Sequence, residues 1–157
     1  MLNIGIVGAG VGGLTCALML KKLGHKVTIF EKQSKSISSG VGIQLSSNAI
    51  RILRLFDLED NIASVANFPS MVDCINGHNG NKITSIPLGK IAEKKFNAGF
   101  YQLHRNDLIS ILKNKVEDFG IKINYGRPVN NLTQNSSNVK IQLLNQNYNY
   151  DFVVGAD

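Results

Sequence analysis

A glycine run, Gly8-Ala9-Gly10-Val11-Gly12-Gly13, stands directly after the β-forming stretch Leu2–Val7, and it constrains the fold more than any other feature of the chain. A strand that leaves a sheet and returns as a helix must turn sharply. Glycine at the first position permits that turn, glycine at the third lets a phosphate approach the backbone, and glycine at the sixth lets the helix press against the sheet. The pattern is GxGxxG with an extra glycine at position 12. A helix is expected from the turn to about Leu23, stopped at Gly24, followed by a second buried strand over Lys26–Phe30. That strand runs into Glu31, at about the ~20-residue spacing of a ribose-binding acid.

Strand, glycine turn, helix, strand and acid together predict a dinucleotide-binding βαβ unit over residues 2–31. The free N–H groups and positive dipole end of the helix suit a pyrophosphate. The Glu31 carboxylate can accept from both ribose hydroxyls, and it would repel a 2′-phosphate. The unit itself does not separate NAD from FAD.

Bulk properties limit the alternatives. The chain has 157 residues, enough for one domain with a core, and no internal repeat or domain boundary stands out. The net charge of +6 arises from scattered lysines with no basic run, so a nucleic-acid partner is not expected. Cys16 and Cys74 lie far apart, and the three histidines show no ligand spacing, so no metal site is expected. Sparse cysteine fits a reducing, cytoplasmic setting. Residues 4–20 are uncharged, yet their glycines and the lack of a basic leader argue for a buried strand and helix over a membrane span or signal sequence.

Beyond Glu31, Gln33–Ser47 reads as a Ser/Gly-rich loop, with Ser46, Ser47 and Asn48 as caps for a helix from Ala49 to about Leu58, continuing by a turn toward Val65. Strands are expected over Met71–Asn76, Lys82–Pro87, Gly99–Leu103 and Ile121–Tyr125. A helix over Asn106–Phe119 places Leu108, Leu112, Val116 and Phe119 near one face. Val129–Leu132, Val139–Leu144 and Tyr148–Val154 are expected to form a small antiparallel set.

Three later segments carry a resemblance. Gly40-Val41-Gly42-Ile43-Gln44-Leu45-Ser46-Ser47-Asn48-Ala49, His104-Arg105-Asn106-Asp107-Leu108 and Gly155-Ala156-Asp157 occur in the order seen in FAD-dependent aromatic-ring hydroxylases, which are single-component flavoprotein monooxygenases similar to salicylate and hydroxybenzoate hydroxylases. With the N-terminal fingerprint they cover nearly the whole chain. The implied fold is α/β, a Rossmann-like FAD-binding βαβ unit with an inserted, mainly antiparallel β segment. Residues 1–157 would form the FAD-binding domain, incomplete relative to the full family fold, with the substrate domain largely absent.

The resemblance also implies roles. Gly8, Gly10, Gly12 and Gly13 would cradle the FAD pyrophosphate, and Glu31, followed by Lys32, would sit at the adenosine ribose. Gly42 and Gln44 would lie near the ribityl or isoalloxazine portion. Arg105 would contact phosphate or the linking chain, the Val129 backbone would touch adenine, and Asp157 would approach the ribityl and pyrophosphate region. NADH or NADPH would act as a transient reductant, and dioxygen would supply the atom placed on a small aromatic substrate. No side chain is required as a nucleophile, so no catalytic residue is assigned. An NAD-binding dehydrogenase module and a truncated, non-catalytic nucleotide-binding remnant stay open as alternatives, as does the oligomeric state.

Overall fold

The computed structural model describes residues 1–34 and 41–157. In chain order the elements are β1 (Asn3–Val7), α1 (Val11–Lys22), β2 (Lys26–Phe30), β3 (Gly42–Leu45), α2 (Ser47–Arg54), α3 (Glu59–Ala63), β4 (Met71–Ile75) and β5 (Lys82–Pro87). They continue with α4 (Gly89–Phe96), β6 (Tyr101–His104), α5 (Arg105–Asp118), β7 (Lys122–Asn124), β8 (Asn131–Gln134), β9 (Val139–Gln142), β10 (Asn147–Tyr150) and β11 (Phe152–Gly155). Two compact units emerge. One holds the described residues of Met1–Ser39 with Ile109–Asp157, and the other those of Gly40–Leu108.

The first unit is built on a parallel sheet in the order β7-β2-β1-β11. Ile4 and Ile6 of β1 and Ile29 of β2 are buried, as expected for strands covered on both faces. Helix α1 packs Gly13, Leu14, Ala17 and Leu18 inward, which is one helical face. Lys21 and Lys22 sit at its negative dipole end. Gly24, at φ +87, ends it as the sequence predicts. Its N–H donates to the Lys21 carbonyl, and the His25 N–H donates to the Leu20 carbonyl.

The antiparallel sheet β10-β9-β8 packs on the parallel one. Phe30, Ile141, Leu143 and Tyr150 form the shared core, joined by half-buried Val7, Val129, Tyr148 and Val153. The Phe30 ring meets Tyr148 at 5.1 Å and Tyr150 edge-on at 6.0 Å. This layer explains Gly5, a glycine inside a strand. A methyl group there would lie 2.9 Å from Ile141 Cδ1 and 3.0 Å from the Tyr150 ring.

Two strand expectations need correction here. Tyr148–Val154 is not one antiparallel strand. Asp151 breaks it into β10, which pairs with β9, and β11, which crosses to pair in parallel with β1. The Asp151 N–H donates to the Asn3 carbonyl, and its carboxylate accepts the Asn3 N–H at 2.7 Å, fixing the crossing point. The strand expected over Val129–Leu132 lies at Asn131–Gln134, where the antiparallel pairing with β9 runs; Val129 precedes it and packs against the core.

In the second unit β3 pairs antiparallel with β6, Gly42 opposite His104 and Gln44 opposite Gln102. The loop expected over Gln33–Ser47 therefore contains a strand; its residues 35–40 lie outside those described. Leu45, Ile50, Leu53, Phe56, Ile62, Tyr101 and Leu103 fill the core. Ser46 precedes α2 but makes no side-chain cap bond, and the buried Ser47 hydroxyl donates instead to the Ala98 carbonyl at 2.8 Å. Arg54 clamps this core: its guanidinium donates to both Glu59 carboxylate oxygens and to the Asn97 carbonyl. Asn97 sits in the left-handed region at φ 53 and ends α4, a helix the sequence pattern did not reveal. The β4–β5 hairpin is joined through Asn76 and Asn79, whose side chains accept backbone N–H groups within the turn.

Candidate nucleotide site

In the parallel sheet, strand order reverses between β1 and β11, and ligands of open α/β sheets bind at the carboxyl ends flanking such a point. The glycine turn occupies that place. Gly8 has φ +108, and a methyl group on it would lie 2.4 Å from the Ala156 carbonyl oxygen. The Gly8 N–H donates to the Phe30 carbonyl at 2.7 Å, and the Ala156 N–H donates to the Val7 carbonyl at 2.8 Å. The turn is thus held from both neighbouring strands. A methyl group on Gly13 would lie 2.0 Å from the Gly8 carbonyl oxygen, so only glycine lets α1 start this close to the strand end.

Gly12 differs from both. A methyl group there would meet nothing within 4 Å. Protein packing leaves that position open, as it must be if something else approaches the turn. Gly10 precedes α1 in extended backbone, without a capping side chain, and the first turn carries no acidic residue. The intrahelical ladder begins with the Leu14 N–H on the Gly10 carbonyl. The earlier N–H groups of α1 have no partner within the helix, and its dipole is not countered by a nearby carboxylate in that turn.

Glu31 stands at the end of β2, half-buried. Its Oε2 accepts the Ala9 N–H at 2.7 Å, and its Oε1 accepts the Gln33 N–H at 2.8 Å. Its backbone N–H donates to the Asn124 carbonyl, and its carbonyl accepts the Arg127 N–H. Lys32 follows, exposed. Asp157 follows β11, and its backbone nitrogen lies 2.9 Å from where a Gly8 methyl group would stand. The structure thus brings Gly8, Gly10, Gly12, Gly13, Glu31 and Asp157 to one edge of one sheet. Val129 belongs to the same unit, but its side chain is spent on the core.

Gly42, Gln44 and Arg105 belong to the other unit: Gly42, opposite His104, and Arg105 stand at one end of the β3–β6 ladder, while Gln44 lies two positions along β3, opposite Gln102. The Arg105 N–H donates to the Val41 carbonyl at 3.0 Å, and all three residues are exposed. His104 ends β6, and its Nδ1 accepts the Asn106 N–H at 3.4 Å. Tyr125 is a residue that motif reading missed. It stands just past β7, its buried hydroxyl has no hydrogen-bond partner, and Lys113 Nζ lies 5.2 Å from its ring centre. Burial, then the charges of Glu117 and Glu31, push its phenol above the ordinary value. Its position at a strand end beside Glu31 is the signal that could have found it. Among the described residues no cluster of histidine, cysteine or carboxylate side chains could hold a metal, and no helix is long and apolar enough to cross a membrane.

The family model described as FAD binding domain matches residues 1–157. A 3-amino-4-hydroxybenzoate 2-monooxygenase from Streptomyces cremeus is 30% identical over 157 residues, which cover 99% of this chain and 39% of that protein. A 6-hydroxynicotinate 3-monooxygenase from Pseudomonas fluorescens is 30% identical over 116 residues, 74% of this chain and 30% of its own length. Among solved structures, CtdE in complex with FAD and a substrate superposes with a TM-score of 0.86 at 22% identity, over 100% of this chain and 38% of that one. The chain therefore spans well under half the length of these relatives. A parallel sheet with its glycine turn at the point of strand reversal agrees with that likeness, and the chain belongs to the FAD-binding domain family.

Proposed function

We propose that residues 1–157 serve as the FAD-binding domain of a flavin-dependent monooxygenase that hydroxylates an aromatic or related small molecule with NADH or NADPH and dioxygen. The observation that carries this reading is the open methyl position at Gly12, set on a glycine turn whose Gly8 and Gly13 positions are closed by protein. A diphosphate fits there: the N–H groups at the start of α1 face it, and no acid in the first turn repels it. Gly10, Gly12 and Gly13 would hold the pyrophosphate and Gly8 would shape the turn. Glu31 would take the adenosine ribose with the carboxylate lone pairs that Ala9 and Gln33 leave free, with Lys32 at the rim. The Val129 backbone would meet adenine, and Asp157 the ribityl side of the diphosphate. Gly42, Gln44 and Arg105 would serve the flavin half of the cofactor, Arg105 with a guanidinium suited to phosphate.

When bound, FAD supplies the redox chemistry, accepting reducing equivalents from the nicotinamide and using dioxygen to oxygenate a ring. The chain's own residues bind, orient and shield it. A dehydrogenase module would continue alternating strand and helix after Glu31; here β3, the helices α2 to α4, the β4–β5 hairpin and β6 intervene before α5. The unpaired Cys16 and Cys74 suit a reducing cytoplasm.

The test is a visible spectrum of the purified chain and titrations with FAD and with NAD. Co-purifying flavin bands or tight FAD binding are expected. Tight NAD binding without flavin affinity would overturn the reading, and binding of neither would point to a non-catalytic remnant.

A further inference from the structure

We infer that Glu31 is a positioning residue for the glycine turn, setting its shape before any nucleotide arrives. Its two carboxylate oxygens are shared between two separate loops. Oε2 takes the Ala9 N–H in the middle of the turn at 2.7 Å, and Oε1 takes the Gln33 N–H beyond β2 at 2.8 Å. Both bonds carry a charged acceptor and are correspondingly strong. The Gln33 carbonyl in turn accepts the Gly126 N–H, and the Glu31 carbonyl accepts the Arg127 N–H. The carboxylate thus ties the glycine turn to the start of the post-β2 segment, whose backbone carbonyls in turn hold the loop after β7.

The tie has a physical purpose. Glycine-rich turns lose more conformational freedom on ordering than any other backbone. A turn left loose would have to be ordered by the ligand, at the expense of affinity. Ala9 is buried and carries no side chain that could hold the turn itself. A carboxylate offers about four acceptor positions, so the two loop bonds leave room for two ribose hydroxyls. The purpose rests on the FAD reading above; the loop bonds do not.

Amide hydrogen exchange on the nucleotide-free chain separates these. In the unsubstituted protein the Ala9 and Gln33 amides are expected to be protected. Rapid exchange there overturns the proposal without any variant. In Glu31→Gln a single carbonyl oxygen can serve only one of the two donors, and the amide nitrogen faces the other. Exchange at Ala9 or Gln33 is then expected to speed up about tenfold or more, while Ile6 and Ile141 stay as before. Glu31→Asp, one methylene shorter, is expected to act the same way. Unchanged exchange at both amides with weakened FAD binding would mean that Glu31 only grips the nucleotide, and would overturn the proposal. A uniform rise across the sheet would mean general destabilisation, and would also overturn it. Local acceleration in a chain that binds no FAD would leave the proposal standing and remove the FAD reading.

Discussion

The glycine turn and the β4–β5 hairpin use similar local chemistry in opposite settings. Strand β1 alternates isoleucine with other residues, and Ile4 and Ile6 are 3% and 0% exposed. The hairpin carries Met71, Val72, Ile75, Ile83 and Ile86, which are 37–68% exposed. Both regions are paired across strands, the hairpin with one register shift between Cys74 and Ile75. The difference lies in layers: β1 has α1 on its unit's helical side and the β8–β10 sheet pressing at Gly5, while the hairpin rests on its own ladder, the Asp73–Lys82 ion pair and the Ser85 hydroxyl on Asp73. Strand-forming residues specify a strand; only a second layer turns them into a core.

Substitutions can break this contrast. Phe30→Ala is expected to cost about 3–5 kcal/mol, whereas Ile83→Ala should stay within about 0.5 kcal/mol, both read by chemical denaturation. Similar costs at the two sites would show that the hairpin is as covered as the sheet. Gly13→Ala drives a methyl group into the Gly8 carbonyl and is expected to cost about 1–3 kcal/mol together with nucleotide affinity. Its neighbour should behave in the opposite sense. Gly12→Ala enters open space on a helix and is expected to stabilise the chain by about 0.4–1 kcal/mol while weakening FAD binding. A stabilised variant that binds FAD normally would remove the diphosphate from that position.

The smallest effects concern protons. The Arg54 hydrogen bond, aided by the Tyr101 hydroxyl, holds the Glu59 carboxyl below its ordinary value despite its partial burial. A depressed folded value means stability present at neutral pH and lost as pH falls through it. Arg54→Met should flatten the acid limb of a stability–pH curve, and an unchanged limb would remove the clamp from the account. Burial and the bond to Glu59 push Tyr101 up to about 12. The stability this phenol contributes is complete below the ordinary tyrosine value and is lost as pH rises toward 12. Phenolate absorbance on alkaline titration should show Tyr101 ionising late.

The turn and Glu31 were legible in the sequence because their requirements are local: a positive φ at Gly8, a close approach at Gly13 and an acid at the end of the next strand. Strand β3 hid in a Ser/Gly-rich stretch because its partner, β6, lies far downstream and supplies the reason for its extension. Helix α4 was invisible because it starts at Gly89 and buries only Ala92, so its apolar residues trace no face. The division into two units left no mark, since no change in composition accompanies it. Strand β11 was assigned to the wrong sheet, because no local rule says that Asp151 redirects the chain toward Asn3.

That redirection sets the order in which the molecule can be finished. Asn3 and Asp151 are 148 positions apart, and Gly8 is closed by Ala156. As the chain emerges from a ribosome, β1, α1 and β2 can pair early, through contacts of short sequence separation. The strand-reversal edge cannot exist until residues 152–156 have been synthesised and have crossed back. The nascent βαβ unit therefore waits with one flank of β1 unpaired until residues 152–156 follow, and the glycine turn closes only after them.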